Sequence, residues 1–351
     1  MKIASVTITS NRENIITDAI LSVRDWVDAA VVVDLGITDS TLDIITRLMD
    51  EVGKPVHVTK MDPNGSTCGQ MRNAGMKLAQ ELGFDWCCTL DTDERIHIGA
   101  GVDIRKALEC IKDQADLIIA RDTMGRYYKE RFFKLPTEHW FIGNAHEKTQ
   151  HIGKTANFPN VTFYELPKTE EETRAKCEFI VAEKLRELEE NPSVAWDWYY
   201  LGDAYAFLGH HDKAIAAFDK CCDLTQVPDE GAWASFRAAM CFRKMDDTKS
   251  ALNRCARGLT FHPGYAELAW LASALEVEAG NYKHGIYWAR MSMINGQPEI
   301  DIQHYSHCLP SGVWEGPYVV LRDAYRMLGQ QEEADKWDAK AVEIRGMKVA
   351  A

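Results

Sequence analysis

At 351 residues the chain is long enough for two ordinary domains, each with its own core. Hydrophobic residues at 46% and charged residues at 26% belong to a folded chain and exclude general disorder. A formal charge of −13 excludes a protein that mainly tracks nucleic-acid phosphates, which needs a basic face, and it disfavours an anionic membrane surface as partner.

The opening MKIASVTITS has the alternation of a strand and not the core of a signal peptide. Lys2–Thr9 reads as that strand, and Arg12 to Val23 as a helix. Ala29–Asp34 is a continuous apolar run of the kind buried on both faces of a parallel sheet, ending on Asp34. The turn from Gly36 to Thr41 then feeds a helix that runs to about Val52. Pro55–Lys60 is a third strand, Cys68–Leu82 a third helix, and Trp86–Leu90 a fourth strand ending at Asp91-Thr92-Asp93-Glu94. This alternation predicts an α/β domain over residues 1–167, Rossmann-like with a mostly parallel, doubly wound sheet and its sites at the carboxyl ends of the strands.

From Lys168 onward the pattern turns all-helical. Thr169–Glu190 is a charged, periodic linking helix (168–191) whose start, Thr169 with Glu172 three residues on, has the form of a capping box, and Asn191-Pro192 ends it. Residues 192–351 repeat. Trp198, Leu201, Gly202, Tyr205, Gly209, Ala214 and Phe218 follow the 34-residue tetratricopeptide pattern. Phe242, Ala251 and Pro263 mark a looser second copy, Gly280 a degenerate third, and Leu321, Tyr325, Gly329, Ala334 and Ala341 a fourth. Such helix pairs bury their faces only by stacking, so a short solenoid is expected, with a concave surface suited to a peptide or to another copy of the chain. A homo-oligomer through the repeat domain therefore stays open.

No run reaches the roughly 18 apolar residues of a membrane span. The ten Cys include no C-x-x-C pair, so buried free thiols in a reducing cytoplasm are expected. His304, His307 and Cys308 have no second ligand pair beside them and read as loop residues, not as a zinc site.

Asp91 and Asp93 are the most informative pair. Two carboxylates at i and i+2 where a buried strand ends can hold Mg²⁺ or Mn²⁺ against a diphosphate, since these cations prefer oxygen ligands and are shared with substrate phosphates. Other strand ends carry Ser10-Asn11-Arg12-Glu13, then Asp34 with Asp39, then the loop from Pro63 to Gly75 with Arg72 and Asn73, and last Gly143-Asn-Ala-His146-Glu147.

In this order SNREN, VVVDLGITDST, GQMRNAG, WCCTLDTDE and IGNAHE resemble the family 2 glycosyltransferases of the GT-A fold. The branch with C-terminal tetratricopeptide repeats, which includes peptide S- and O-glycosyltransferases of bacteriocin biosynthesis, is the nearest. The resemblance covers about residues 3 to 165. It implies a UDP-sugar donor whose base and ribose lie along Thr7, Thr9 and Glu13, with Asp34 accepting hydrogen bonds from base or ribose. It places Arg72 near the diphosphate, with Asn73 shaping the loop. Asp93 becomes the direct metal ligand, and Asp91, with Thr92 beside it, contacts ribose or metal-bound water. His146 and Glu147 fall on the acceptor side.

Transfer leaves a dianionic diphosphate, so a cation on Asp93 and a nearby Arg can stabilise charge where it develops. The acceptor must lose a proton, and Glu147 is the first candidate base, Glu130 the second, with His146 alternatively a third metal ligand. The expected function is metal-dependent, inverting transfer of a hexose from a UDP-sugar to a peptide or protein side chain. Sugar nucleotidyl transfer is the alternative, although Ser10–Asn14 is not a glycine-rich phosphate loop. A non-enzymatic repeat scaffold with a degenerate sugar-nucleotide domain is the other. Plainer readings stand beside each role: Asp34 as a helix cap, Asp91 and Asp93 as turn residues, Arg72 as a surface residue, Glu94 and Arg95 as a surface pair. The chain departs from the branch at Arg12, where K-N-E is usual, at Leu35 and Ile37, and in lacking a His within Val161–Leu166.

Overall fold

The computed structural model describes residues 1–123, 128–144, 147–150, 153–295 and 315–350. It divides into two compact units, Met1–Pro167 and Lys168–Ala351.

The first unit is a mixed sheet flanked by helices. Strands β1 (Ile3–Thr9), β2 (Ala29–Asp34), β3 (Val56–Lys60) and β4 (Trp86–Thr89) run parallel in the order β3-β2-β1-β4. Alternate residues of β1 and β2 feed opposite cores, as the two-residue period of a strand requires. Ile3, Ala30 and Val32 pack with α1 (Ile16–Val23), α2 (Thr41–Asp50) and α4 (Ile104–Ile111). Ala4, Val6 and Val31 pack with Met76 and Ala79 of α3 (Cys68–Glu81) on the other face. This is the doubly wound layer read from the sequence.

Beyond β4 the sheet becomes mixed. It continues through β7 (Tyr128–Lys134), β6 (Leu117–Asp122) and β10 (Thr155–Glu165) to β5 (Glu94–Ile98) at the far edge. The β4–β7, β7–β6 and β10–β5 pairs are antiparallel and β6–β10 is parallel. Short strands β8 (Phe141–Ile142) and β9 (Lys148–Thr149) form a separate ribbon. The consequence for the site is topological. Between β4 and β5 the chain crosses from mid-sheet to edge, and Asp91-Thr92-Asp93 is that crossing. The first helix begins at Ile16, later than the Arg12 expected, because residues 11–13 are committed to bracing a neighbouring loop.

The second unit is built of helices. It opens with α5 (Glu170–Glu190), whose capping box is present as read: the Glu172 amide donates to Thr169 Oγ1 at 3.1 Å and the Thr169 amide to Glu172 Oε2 at 2.8 Å. Antiparallel pairs follow: α6 (Ala195–Phe207) with α7 (His211–Leu224), α8 (Pro228–Lys244) with α9 (Thr248–Phe261), α10 (Ala266–Glu278) with α11 (Tyr282–Ile294), and α12 (Gly316–Met327) with α13 (Gln331–Ala350). Their interfaces bury Tyr199, Phe218, Trp233, Phe236, Leu268 and Leu271, then Val320, Leu321 and Tyr325.

The repeat is legible in the backbone too. The first helix of each pair ends on a left-handed residue: Gly209 (φ 81°), Asp246 (φ 58°), Gly280 (φ 82°) and Gly329 (φ 73°). A left-handed residue lets the chain leave the helix and double back, and glycine adopts it without steric cost. The second repeat, whose sequence match is loose, keeps the geometry with Asp246 in the glycine place. Gly202 serves a different need, since a Cβ there would lie 2.8 Å from the Phe218 ring of the partner helix.

Candidate active site

The strand ends of β1 and β2 are cross-braced. Asn11 Oδ1 accepts from the amides of Thr38 (2.8 Å) and Asp39 (3.2 Å), Glu13 Oε2 accepts from the Ser40 amide at 3.1 Å, and the Arg12 amide donates to Thr41 Oγ1 at 2.7 Å. Glu13 thus holds the start of α2. Asp34 is buried, and its Oδ1 accepts from Gly36 (2.8 Å) and Ile37 (2.7 Å) while Oδ2 lies 3.8 Å from Lys60 Nζ. These bonds close the turn after β2 and do not cap α2, whose N-cap is Ser40, so the helix-cap reading of Asp34 is replaced by a turn role, with the other carboxylate oxygen left to a longer ionic contact. Thr9 Oγ1 donates to the Ser10 carbonyl at 2.9 Å, and Thr7 Oγ1 is buried with no hydrogen-bond partner among the described residues.

Helix α3 is bolted to the segment that leads to Glu147. Gly69 lets the backbones meet: a Cβ there would sit 2.9 Å from the Phe141 carbonyl oxygen. Asn73 imitates a strand neighbour, donating from Nδ2 to the Phe141 carbonyl at 2.8 Å and accepting the Phe141 amide on Oδ1 at 2.9 Å. The first amides of α3 are all taken internally, Cys68 by Asn144 Oδ1, Gly69 by the Gly143 carbonyl and Gln70 by Thr67. The helix end therefore offers no spare amides to a phosphate, and its functional group is Arg72.

Arg72 joins two sequence motifs far apart in the chain. Its Nη1 donates to Asp91 Oδ1 at 2.6 Å and its Nε to Glu147 Oε1 at 2.5 Å, with all three side chains 20% exposed or less. The plainer reading of Arg72 as a surface residue is thereby replaced. Burial opposes charge on the Asp91 carboxyl, but Arg72, then Lys129, outweigh it and hold the carboxyl well below the usual carboxylate range.

The sequence reading missed what lies under Asp91. Glu94 and Arg95 are not a surface pair: both are buried, Glu94 completely. Glu94 Oε1 takes Lys129 Nζ and Arg131 Nη2, each at 2.6 Å, and Oε2 accepts the Asp91 amide at 3.1 Å. Lys129 also lies 3.8 Å from Asp91 Oδ2 and 3.8 Å from Glu165. Arg95 points elsewhere, donating to the carbonyls of Thr92, Glu94 and Ile15. One signal was available. In Glu94-Arg-Ile96-His-Ile98 the strand period puts Glu94 on the face of buried Ile96, which makes it an interior acid.

Glu130, the second candidate base, turns away from this cluster, and its carboxylate takes the Thr149 hydroxyl at 3.0 Å. His146 lies outside the described residues, as do His304, His307 and Cys308. Among the described residues no group of three or more His, Cys, Asp or Glu forms a ready metal cage. A cage is not required for Mg²⁺ or Mn²⁺, which commonly take one or two carboxylates and complete their shell with water and substrate phosphate. Asp91 is held by Arg72 and faced by Lys129, and Asp93 lies two residues on in the same turn. Among the described residues no helix is long and apolar enough to cross a membrane.

Residues 5–166 match the family model for glycosyl transferase family 2, and residues 195–226 match that of a tetratricopeptide repeat. This family generally uses a divalent metal and a nucleotide-sugar donor. No curated protein matches the chain. Among solved structures it is similar to MamA (19% identity, 53% of this chain and 99% of that one, TM-score 0.41). It is also similar to MamA 41-end from Desulfovibrio magneticus RS-1 (17%, 50% and 88%, TM-score 0.39) and to YrrB, described as a TPR protein with an unusual peptide-binding site (16%, 49% and 79%, TM-score 0.37). The strand order, the D-T-D crossing and the family match agree: the chain carries a family 2 glycosyltransferase domain followed by tetratricopeptide repeats.

Proposed function

We propose that the first unit transfers a hexose from a UDP-sugar, with inversion and with the help of Mg²⁺ or Mn²⁺, to a side chain of a peptide or protein. The observation that carries this reading is the ion-pair chain Asp91–Arg72–Glu147, which ties the D-T-D turn to the segment that carries Glu147.

Asp93 would hold the cation, which when bound supplies charge neutralisation for the departing diphosphate. Arg72 brings a permanent positive charge to the same end, and Asp91 fixes its direction. Glu147, oriented by the Arg72 Nε–H, is the group suited to take the proton of the acceptor. Thr7, Thr9 and Asp34 line the ends of β1 and β2 where the nucleoside would lie, with the unpartnered Thr7 hydroxyl available to it, while Glu13 acts by bracing that rim. The repeats support a polypeptide acceptor, since stacked helix pairs commonly bind extended chains.

The test is incubation of the purified chain with UDP-sugars and Mn²⁺, reading UDP release. Release that persists as hydrolysis without acceptor, and falls by about 100-fold or more in Glu147→Gln, agrees with the proposal. Release of a sugar phosphate and not of UDP would favour nucleotidyl transfer, and no release with any donor would favour a scaffold.

A further inference from the structure

Transfer chemistry needs the D-T-D turn held in one shape before the donor arrives. Four of its backbone groups are taken by protein partners. The Asp91 amide goes to Glu94 Oε2, the Asp91 carbonyl to the Glu94 amide (3.0 Å), the Thr92 carbonyl to Arg95, and the Asp93 carbonyl to the Leu166 amide (2.7 Å). The Asp91 side chain is gripped on Oδ1 by Arg72 and faced on Oδ2 by Lys129.

Two of these anchors depend on a single carboxylate. Glu94 is wholly buried, and a buried charge persists only when paired and hydrogen-bonded. Its pairing comes from β7, where Ile118 faces Phe132 but Ile119 faces Glu130, so Arg131 is an extra residue with no ladder partner. Such a bulge re-aims side chains. Here Lys129 and Arg131 both reach Glu94 and both lie over the Phe163 ring, at 5.5 and 4.2 Å from its centroid. The third carboxylate near Lys129, Glu165, pairs in register with Glu94 on the adjacent strand.

We infer that Glu94 is a positioning residue of the donor site: braced by the β7 bulge cations Arg131 and Lys129, it sets the Asp91 backbone and, through Lys129, the direction of the Asp91 carboxylate. The inference rests on the donor-site reading of the D-T-D turn. It adds that this geometry is held from beneath, by a strand outside the motifs that carry the family resemblance.

Glu94→Gln alone leaves two buried cations short of a counter-charge and can fail to fold. The informative variant is therefore Glu94→Gln with Arg131→Met, which removes one charge of each sign from the same place. Two readouts are taken on the full chain: amide exchange across residues 91–95 without ligand, and UDP affinity with Mn²⁺ by calorimetry. With circular dichroism and thermal midpoint like those of the parent, the double variant is expected to exchange the Asp91 amide at least 10-fold faster and to bind UDP–Mn²⁺ about 10- to 100-fold more weakly, the loss typical of groups that orient metal ligands. Unchanged exchange would overturn the brace whatever happens to the nucleotide. Faster exchange with unchanged affinity would make Glu94 a structural residue only. A parent chain with a protected Asp91 amide and no UDP binding would instead overturn the donor-site reading, and the positioning role with it. A double variant that does not fold refers the question to Lys129→Met, for which affinity unchanged from the parent would likewise overturn the inference.

Discussion

Replacing Arg72 by Met tests the ion-pair chain on which the site is built. Arg72 makes charge-assisted bonds of 2.6 and 2.5 Å to Asp91 and Glu147, whose side chains are 20% and 16% exposed. Each such bond contributes about 1.5–3 kcal/mol, and stranding a largely buried carboxylate costs about 3–5 kcal/mol. Because water still reaches both acids, we expect Arg72→Met to lose about 3 kcal/mol at pH 7. A double-mutant cycle with Asp91→Asn should give a coupling of about 1.5–3 kcal/mol. The assay is a urea titration read by amide exchange of β1 and β4, which reports on the first unit alone. The sign with pH follows from the depressed carboxyl of Asp91: its contribution is complete above the unfolded pKa of about 3.9 and is lost as pH falls through the lower folded value. The stability difference between parent and Asp91→Asn should thus be flat from pH 7 to about 5 and shrink below about 4, and Arg72→Met should flatten that decline. A coupling near zero at pH 7 would refute the reasoning.

Changes at three further positions probe the frame around the site and the repeats. Asp246→Gly should stabilise the second unit by about 0.5–1 kcal/mol by relieving a left-handed Asp, and Asp246→Val should lower the thermal midpoint. Gly75→Val places a Cβ 2.5 Å from Val6 Cγ1 and 2.9 Å from Val33 Cγ2, so α3 must move off the sheet, at about 1–3 kcal/mol in urea. Asn73→Ala removes both bonds to Phe141 and with them the register of Glu147 against Arg72. Turnover should fall by about 10- to 100-fold with donor KM little changed.

What the sequence made legible was mostly local. The strand–helix alternation through Leu90, the Thr169 capping box and the glycine between the two helices of each clear repeat depend on residues a few positions apart, and all are present. The D-T-D turn and Arg72 were singled out by type and place, but their mutual contact joins residues 19 apart, and Arg72–Glu147 joins residues 75 apart. The far half of the sheet was not readable, because β5 pairs with β10 and β7 with β4 across long, irregular connections. Glu94, Lys129 and Arg131 were lost for the same reason. A charged residue next to an acidic turn looks solvated until its strand partner is known, and the bulge that aims Arg131 has no marker in composition. Asp246 was hidden differently, since Asp tolerates the left-handed region well enough to replace Gly without breaking the repeat.

The central claim, that the turn after β4 holds a nucleotide diphosphate through a cation, is tested most directly by calorimetry with UDP and Mn²⁺. The account predicts binding to the parent chain that collapses both in Asp93→Ala and when the metal is chelated. UDP binding of equal strength in all three conditions would contradict it.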